Sequence, residues 1–433
     1  MAPIPDKVRR PGYAPTTSVG VGRRGLHTRD RILACAAELF LANGFHGSSL
    51  DAIAKAANAS RATVYQYFAG KDDIFRELSA SAEHDVLAHG ERLGVLGPTV
   101  DGMVALHGWL VEWADIYDAH AAVFAEFPGI GTVTGLTVID AGETAEQYHL
   151  EVADRVRAVD LSGLDRHVAA AVLGRIPHMV HLYRYRAMFP LPATPVVSWS
   201  LTVALQLMLF PDTPDDVLRA AAPPNLLASV TPPMPDARRE STPERHEMPL
   251  SPTEQEVLSV SSAMFAERGY YAVGMEEIAS GAEVSRATLY RYFSTKVEIL
   301  AELTRRAVLE VEAHAAALPQ TAGAGSWPDW MLGYVQFHRR YQGVIRAWLD
   351  GTVAEQLADA SVDHGIGAIH GAIGALLSNV DLPVGVDPRV AGAVFLAVLG
   401  RMTEPPSGGE AESDERAAAL MLNLLTRSLL RNP

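Results

Sequence analysis

Two nearly identical stretches of the chain concentrate the side chains that could do chemistry. SRATVYQYF spans residues 60–68 and SRATLYRYF spans residues 285–293. Each carries hydroxyl, guanidinium and phenol groups, and a lysine follows each stretch, Lys71 in one case and Lys296 in the other. Such side chains donate hydrogen bonds to polar or anionic partners, phosphate oxygens among them. The two stretches differ at two pairs of positions, Val64 with Leu289 and Gln66 with Arg291.

Patterns typical of enzymes and metal sites do not stand out in the sequence. There is no Ser/His/Asp spacing, phosphate loop or pair of carboxylates, although distant positions could still assemble a triad. His178 and His181 share a helix face, but no third ligand follows at a recognisable spacing. We therefore predict a protein that is not an enzyme and that holds neither a cofactor nor a metal ion. An enzyme on the same scaffold would require turnover that survives loss of both stretches.

Composition and charge limit the class of protein further. The 36 Lys and Arg residues against 51 Asp and Glu residues give a formal charge of −15. A chain this acidic does not coat nucleic acid by charge alone, so any DNA binding must be local. The single cysteine, Cys35, excludes an internal disulfide. No apolar run of about 18 residues and no apolar signal core appear, so we predict a cytoplasmic protein that does not span a membrane.

The chain is organised as a duplication. Its 433 residues exceed the roughly 250 to 300 residues that one hydrophobic core supports. Ser60 and Ser285 lie 225 residues apart, and the same offset aligns Phe40 with Phe265 without a gap. Solenoid repeats are only about 20 to 50 residues long, so whole domains have been duplicated here.

Each copy reads as four helices, which predicts an all-α fold. Thr28 is expected to cap the first helix of the first copy and Gly44 to end it. In the second copy, Ser251, Pro252 and Glu254 have the order of a capping box with proline at the first helical position. In both copies a short helix, a three-residue turn and a second short helix with serine as N-cap follow, which is the order of a helix-turn-helix. A fourth helix begins near the lysine.

This extended pattern resembles the DNA-binding head of TetR-family repressors. The residues that carry the resemblance are IAKAANASRATVYQYFAGK and IASGAEVSRATLYRYFSTK, an aliphatic-Ala pair, a tight turn, a recognition helix and a lysine. The match covers roughly 50 residues twice and is far more specific than a lone short motif. It implies a sequence-specific DNA-binding transcriptional regulator, most simply a ligand-responsive repressor, with a DNA operator as partner. The predicted domains are a basic arm (1–25), a first head (26–78), a first helical body (79–210), a Pro-rich linker (211–250), a second head (251–303) and a second body (304–433).

The resemblance also implies roles for individual residues. Residues at the start of the recognition helix would face base edges, and the tyrosines and the lysine would hold phosphates. Gln66 suits adenine, whereas Arg291 suits guanine, so the two half-sites are expected to differ. Phe68 and Phe293 are assigned to the core. The predicted DNA-contacting set is Ser60, Arg61, Ala62, Thr63, Tyr65, Gln66, Tyr67 and Lys71 in the first head, with Ser285, Arg286, Ala287, Thr288, Tyr290, Arg291, Tyr292 and Lys296 in the second.

The two heads are not equal in charge. Residues 26–78 contain six basic and six acidic residues, whereas residues 251–303 contain four basic and eight acidic residues. In the turn, Asn58 tolerates a left-handed backbone, but the equivalent Glu283 does so less readily. The second head should therefore bind DNA more weakly. The alternative is a ligand-binding or protein-binding module in which one or both heads have lost DNA binding.

The remaining parts resemble the ligand-binding and dimerisation body of the family. The helical stretches at 109–127 and 334–350 look like the same helix in the two halves, and their aromatic side chains are either ordinary core or the lining of a pocket for an apolar effector. The candidate effector contacts are Trp109, Trp113, Tyr117 and Phe124 in the first half, with Tyr334, Phe337, Tyr341 and Trp348 in the second.

The last two helices of each half resemble the pair that forms the family's four-helix dimer interface. Their broad apolar faces and small residues require a partner. That partner is either the other half of the same chain or the equivalent surface of a second chain in a homodimer. At about 3.3 Å per residue the linker over 211–250 is long enough for pairing within the chain.

Overall fold

The computed structural model describes residues 23–126, 141–224, 226, 250–321, 323–348, 353, 357, 362–404 and 412–431. Within these ranges the ordered elements are eighteen α-helices and there is no strand, so the predicted all-α class is confirmed. The helices of the first half are α1 Arg23–Gly47, α2 Leu50–Ala56, α3 Arg61–Tyr67, α4 Lys71–Glu91, α5 Val100–Ala119, α6 Ala121–Phe124, α7 Ala141–Arg155, α8 Arg166–Tyr185, α9 Thr194–Leu209 and α10 Asp215–Ala221. Those of the second half are α11 Pro252–Arg268, α12 Met275–Gly281, α13 Arg286–Tyr292, α14 Lys296–Ala316, α15 Trp327–Trp348, α16 Val362–Leu377, α17 Pro388–Arg401 and α18 Asp414–Arg427.

The first helix differs from its sequence-based prediction. It begins at Arg23, so Thr28 lies inside the helix and the prediction that Thr28 caps it is wrong. Gly44 does interrupt the helix, because its φ of 71° places it in the left-handed region that glycine adopts without a steric penalty. In the second half the predicted capping box is present, since Ser251 and Glu254 cap α11 reciprocally. The basic arm falls almost wholly outside the described residues.

Two further segments depart from expectation. The single helix expected over 109–127 is broken at His120, whose backbone (φ −120°, ψ 22°) separates α5 from the short α6. The break lets α6 turn Ala122 and Val123 into the core of the first head. Within the predicted linker, α10 packs on α5 and buries Leu218. The domain boundaries themselves stay predictions.

The two heads attach to the rest of the molecule in different ways. The core of the first head, which includes Phe40, Phe68 and Phe75, forms a cluster of its own, to which the body adds Ala82 of α4 and two residues of α6. The core of the second head, which includes Phe265 and Phe293, is continuous with the apolar core of both bodies. The first head is therefore packed as a separate unit, whereas the second is built into the body.

The two halves contact each other through the last helices of their bodies. Helices α8 and α9 of the first half pack against α17 and α18 of the second, and this contact is called the seam below. Small residues on α8, among them Ala169 and Ala170, are fully buried and allow close approach of the helices. Polar contacts cross the seam too: Arg175 donates to the carbonyl oxygen of Glu404 at 2.9 Å, and the N–H of Asp387 donates to the hydroxyl of Ser200 at 3.0 Å.

None of the helices in the described part of the chain has both the length and the apolar character that a membrane crossing requires.

Candidate nucleic-acid interface

The turn between α2 and α3 is a Schellman motif. The N–H of Ala59 donates to the carbonyl oxygen of Ala54 at 2.9 Å, and the N–H of Asn58 donates to that of Lys55 at 3.1 Å. Asn58 has a φ of 46°, the left-handed conformation that this motif demands just after the helix. Asparagine adopts it more readily than most side chains, so the local sequence and the turn agree.

The second head builds the same turn with a less suitable residue. The N–H of Val284 donates to the carbonyl oxygen of Ala279 at 3.0 Å, and Glu283 has a φ of 53°. A glutamate in this conformation carries a steric cost that glycine or asparagine avoids. The backbone geometry of the second helix-turn-helix is therefore intact, and the departure at Glu283 affects its stability and its charge.

Serine caps fix the start of both recognition helices. Ser60 accepts a hydrogen bond from the N–H of Thr63 at 3.0 Å, and Ser285 accepts one from the N–H of Thr288 at 3.1 Å. The predicted N-caps are confirmed. In each head the serine and threonine hydroxyls also lie 2.8 Å apart, so the two side chains orient one another at the point where the helix would approach a partner.

The first residue of each recognition helix is an arginine that pairs with an acid of the preceding helix. Arg61 lies 3.0 Å from Asp51, and Arg286 lies 2.6 Å from Glu276. The pKa of the Arg61 guanidinium is raised, first by its hydrogen bond with Tyr65 and then by the charge of Asp51. All four charged groups are exposed. An exposed ion pair contributes little in water, so a stronger acceptor can displace the acid.

The residues expected to face bases lie on the outer surface of their heads. Ala62 and Gln66 are exposed in the first head, and Ala287 and Arg291 in the second. The Arg291 guanidinium donates to the hydroxyl of Tyr292 at 3.2 Å and lies over its ring, which holds the arginine along the helix.

The aromatic residues of the motif divide between surface and core. Phe68 and Phe293 are buried, as predicted. Tyr65 and Tyr67 are half-buried, and Tyr290 is 49% exposed, so none of the three is an ordinary core residue. The predicted phosphate contacts of these tyrosines stay predictions.

The lysine that follows each recognition helix has partners that sequence reasoning missed. Lys71 donates to the carbonyl oxygens of Phe45 at 2.7 Å and Ser48 at 3.0 Å. Lys296 donates to those of Tyr270 at 2.6 Å and Val273 at 2.8 Å. An ammonium group has three donors, so two of them already join α4 to the end of α1 and the residue after it, and α14 to the loop after α11. Burial lowers the pKa of both lysines.

The aromatic residues predicted for an effector site in the first body are packed against one another. Trp109 stacks on His89 with ring centroids 4.2 Å apart, and Tyr117 stacks on Phe124 at 4.6 Å. The hydroxyl of Tyr117 and the indole N–H of Trp113 are buried without a hydrogen-bond partner in the described part of the chain.

In the second body, three of the four predicted residues line a cavity of about 100 Å³ at the seam. These are Tyr334, Phe337 and Trp348, whereas Tyr341 is not part of the lining. Tyr183 of α8 contributes from the first half, and the floor includes Arg346. We call this space the seam cavity. Sequence alone could not find it, because its walls come from five helices and both halves.

The charged end of the seam cavity is a compact network around the half-buried carboxylate of Glu404. Glu404 lies 2.7 Å from Arg346 and 3.1 Å from Arg401. Burial by itself would raise the pKa of Glu404, but the positive charges of Arg401, Arg346 and Arg175 lower it to about 2. Arg346 also donates to the carbonyl oxygen of Ala266 in α11 at 3.0 Å, so one side chain joins the cavity to the second head.

Comparison with known proteins agrees with the duplicated head. A family model described as bacterial regulatory proteins of the TetR family matches the chain twice, over residues 32–78 and over residues 257–303. Both matches begin in the first helix of a head and end in its fourth helix.

Individual relatives match over similar lengths. The chain is 39% identical over 61 residues to the HTH-type transcriptional activator FasR of Mycolicibacterium smegmatis, which is 14% of this chain and 28% of that protein. It is 40% identical over 57 residues to the HTH-type transcriptional regulator SrpR of Pseudomonas putida, 13% and 27% of the two chains. It is 44% identical over 50 residues to the HTH-type transcriptional repressor KstR2 of Mycobacterium tuberculosis, 12% and 25%. The matched part is thus about a quarter of each relative's length. The chain therefore carries the helix-turn-helix unit of the TetR family of bacterial regulatory proteins twice in tandem.

Proposed function

We propose that this protein is a sequence-specific DNA-binding transcriptional regulator whose two units pair within one chain. The observation that carries the proposal is the repetition of one complete helix-turn-helix geometry: the same Schellman turn, serine cap and exposed arginine at equivalent positions of two heads. The apolar contact between α8, α9, α17 and α18 supports pairing of the halves, because these faces would otherwise be exposed to water.

A protein paired in this way reads two half-sites that differ. The exposed amide of Gln66 forms two hydrogen bonds with adenine, and the guanidinium of the equivalent Arg291 forms two with guanine. Two recognition helices on one face of a duplex read sites about 34 Å apart, one helical turn, or a multiple of it. The proposed operator is therefore an imperfect palindrome.

The first head supplies most of the affinity in this proposal. Its residues carry equal numbers of acidic and basic groups, whereas the second head has an excess of four acids, Glu276 and Glu283 among them. Contacts to phosphate dominate affinity for DNA, so the second head contributes mainly discrimination through Arg291.

We take the sign of regulation to be repression relieved by an effector. Of the relatives, one is named an activator and another a repressor, so the names do not decide the sign. The seam cavity supports a response to a ligand, because Arg346 links it both to Glu404 at the seam and to Ala266 in the second head. A ligand that displaces Arg346 would move the second head and favour a different separation of the two heads.

The walls of the seam cavity indicate the chemistry of that effector. Most of the lining is apolar, and the hydroxyls of Tyr183 and Tyr334 together with Nε2 of His338 have no hydrogen-bond partner among the described residues. Burial lowers the pKa of His338 to about 4, so its imidazole is neutral at pH 7. An uncharged, mainly apolar molecule with a carbonyl or hydroxyl oxygen would satisfy these groups.

Selection of bound DNA from a random pool tests the proposal. The purified chain should enrich an asymmetric consensus, and Arg61→Ala and Arg286→Ala should each weaken binding to it by roughly 5- to 150-fold, the range that loss of one good base contact gives. Arg92→Ala is a matched control, because Arg92 forms an exposed ion pair with Glu112 in the body. Mass in solution with and without DNA separates pairing within the chain from a homodimer with four heads.

The competing function is a ligand-binding or protein-binding module with vestigial heads. The acid excess of the second head and the glutamate in its turn favour this reading for that head alone. Enrichment of a single half-site, with binding unaffected by Arg286→Ala, would establish a vestigial second head. Absence of any salt-dependent binding would remove the regulator proposal altogether.

A further inference from the structure

The two heads touch each other at one pair of equivalent residues. His46 of the first head and Tyr271 of the second lie 225 positions apart, the offset of the duplication. Their rings are stacked, with centroids 4.0 Å apart and planes 27° apart. A contact between equivalent positions is what a local two-fold axis between the heads produces.

Each of these rings is held firmly by its own head. The carbonyl oxygen just before His46 belongs to Phe45, which accepts from Lys71, and the one just before Tyr271 belongs to Tyr270, which accepts from Lys296. The N–H of Phe45 also donates to Glu126 of the first body at 2.9 Å.

Aromatic packing behind each ring adds to these anchors. The ring of Phe45 contacts His46 edge-on at 5.3 Å, and the ring of Tyr270 contacts Tyr271 edge-on at 5.4 Å. The stack therefore joins two anchored segments, and a shift of one head is transmitted to the other.

Because the two heads are attached to the bodies differently, this contact constrains the position of the first head relative to the second. The core of the second head is continuous with the bodies, whereas the first head has a core of its own. The first head is thus the unit whose position the bodies define less tightly, and the stack supplies the missing constraint.

We propose that the His46–Tyr271 stack is a latch through which the second head sets the position of the first, and so fixes the separation of the two recognition helices. Its consequence for DNA rests on the proposed function: His46 and Tyr271 are positioning residues for the spacing of the half-sites, without touching DNA themselves. The latch itself is a property of the free protein.

Distances between the heads test the latch without DNA. Spin labels at Ala69→Cys and Ser294→Cys, which are exposed and equivalent positions just after the recognition helices, are introduced with Cys35→Ser as background. We expect one narrow distance distribution for the parent protein. His46→Ala and Tyr271→Ala should each broaden it, and the double variant should be no broader than either single one, because both changes remove the same contact.

Two controls separate stacking from general damage. His46→Phe keeps an aromatic ring and should retain the narrow distribution. Asn43→Ala lies one turn earlier on the exposed side of α1 and should leave it unchanged. A distribution that is as narrow in His46→Ala and Tyr271→Ala as in the parent, or that His46→Phe fails to keep narrow in a protein with unchanged melting, would overturn the proposal.

The selection experiment provides the second readout. The parent protein should accept one spacing of half-sites, whereas the two alanine variants should accept several and bind the parent's site roughly two- to tenfold more weakly, as expected for loss of one aromatic pair. If the parent enriches no sequence, the proposed function fails and the distance measurement alone decides the latch. If spacing stays strict in variants whose distances broaden, the role of the latch in DNA recognition is wrong.

Discussion

The ammonium group of Lys296 lies 2.6 Å from the carbonyl oxygen of Tyr270, and Lys71 repeats the contact in the first head with the carbonyl of Phe45 at 2.7 Å. Both lysines also lie over the ring of the residue whose carbonyl they bind, at 4.2 Å and 4.4 Å. Two copies of the head that differ at many positions thus share the same two hydrogen bonds of this lysine. The contact gives both lysines a structural role within the head. Their contact with phosphate stays a prediction.

Lys71→Gln should destabilise the first head by about 1 to 3 kcal/mol, because carbonyl oxygens lose a charged hydrogen-bond donor. Urea unfolding measures the change, and Lys55→Gln, an exposed lysine of α2, should leave stability nearly constant. The salt dependence of DNA binding should stay the same. A slope reduced by about one, without loss of stability, would instead assign Lys71 to a phosphate.

Glu283→Asn should stabilise the protein by about 0.5 to 1 kcal/mol, because asparagine adopts the left-handed conformation of the turn at lower cost. The reverse change in the first head, Asn58→Glu, should destabilise by a similar amount. Both positions are exposed and followed by the same capping geometry, so the pair forms its own control. Changes of the same sign in the two unfolding experiments, or a destabilising Glu283→Asn together with a stabilising Asn58→Glu, would show that the backbone at this turn is not what limits stability.

Gly400→Ala should place a methyl group in the seam cavity, since a Cβ there lies 3.9 Å from the hydroxyl of Tyr183 and 4.0 Å from Nε2 of His338. Gly392→Ala is the matched control on the same helix, where a Cβ lies 3.8 Å from Nε2 of His370. Both changes should add helix stability of up to about 1 kcal/mol. Only Gly400→Ala should weaken the binding of cyclohexanone. Binding is measured as the rise in melting temperature that cyclohexanone produces in each protein. Equal weakening in both variants would place the ligand elsewhere.

Stability should fall as the pH drops from 6.5 towards 4, in part because of His338. Burial lowers its folded-state pKa from 6.5 to about 4, so the unfolded chain binds the proton first and acid favours unfolding. Its contribution is complete above pH 6.5 and is lost on the way down to about pH 4. In His338→Gln, the free energy of unfolding should fall less between pH 7.5 and pH 5 than it does in the parent, by about 1 to 2 kcal/mol. If the free energy of unfolding depends on pH in the same way in both proteins, protonation of His338 does not destabilise the folded state.

Much of the helix-turn-helix was predictable because its determinants are local. Ser60 and Ser285 cap the recognition helices as expected, and Ser251 with Glu254 caps α11. Each cap depends on residues within four positions of one another, and such contacts form in the same way wherever the segment lies. The prediction for Thr28 failed because the helix continues to Arg23, and a capping residue inside a longer helix looks no different in sequence.

Contacts between distant segments could not be read in advance. The type and spacing of Lys296 suggested a surface role, but its partners lie more than twenty residues earlier, and only packing of α14 beside α11 brings them together. Arg346, Glu404 and Ala266 form a chain of contacts that no periodicity predicts.

The amino-acid sequence by itself determined the duplication, the all-α class, the two helix-turn-helix heads and their unequal charge, because caps, turns and apolar spacing are properties of neighbouring residues. The tertiary structure decided which aromatic residues line a cavity, which lysine donors are already used, and where the heads meet at His46 and Tyr271. Those features depend on the angle and distance at which whole helices pack, and packing is set by the summed shape of side chains from both halves.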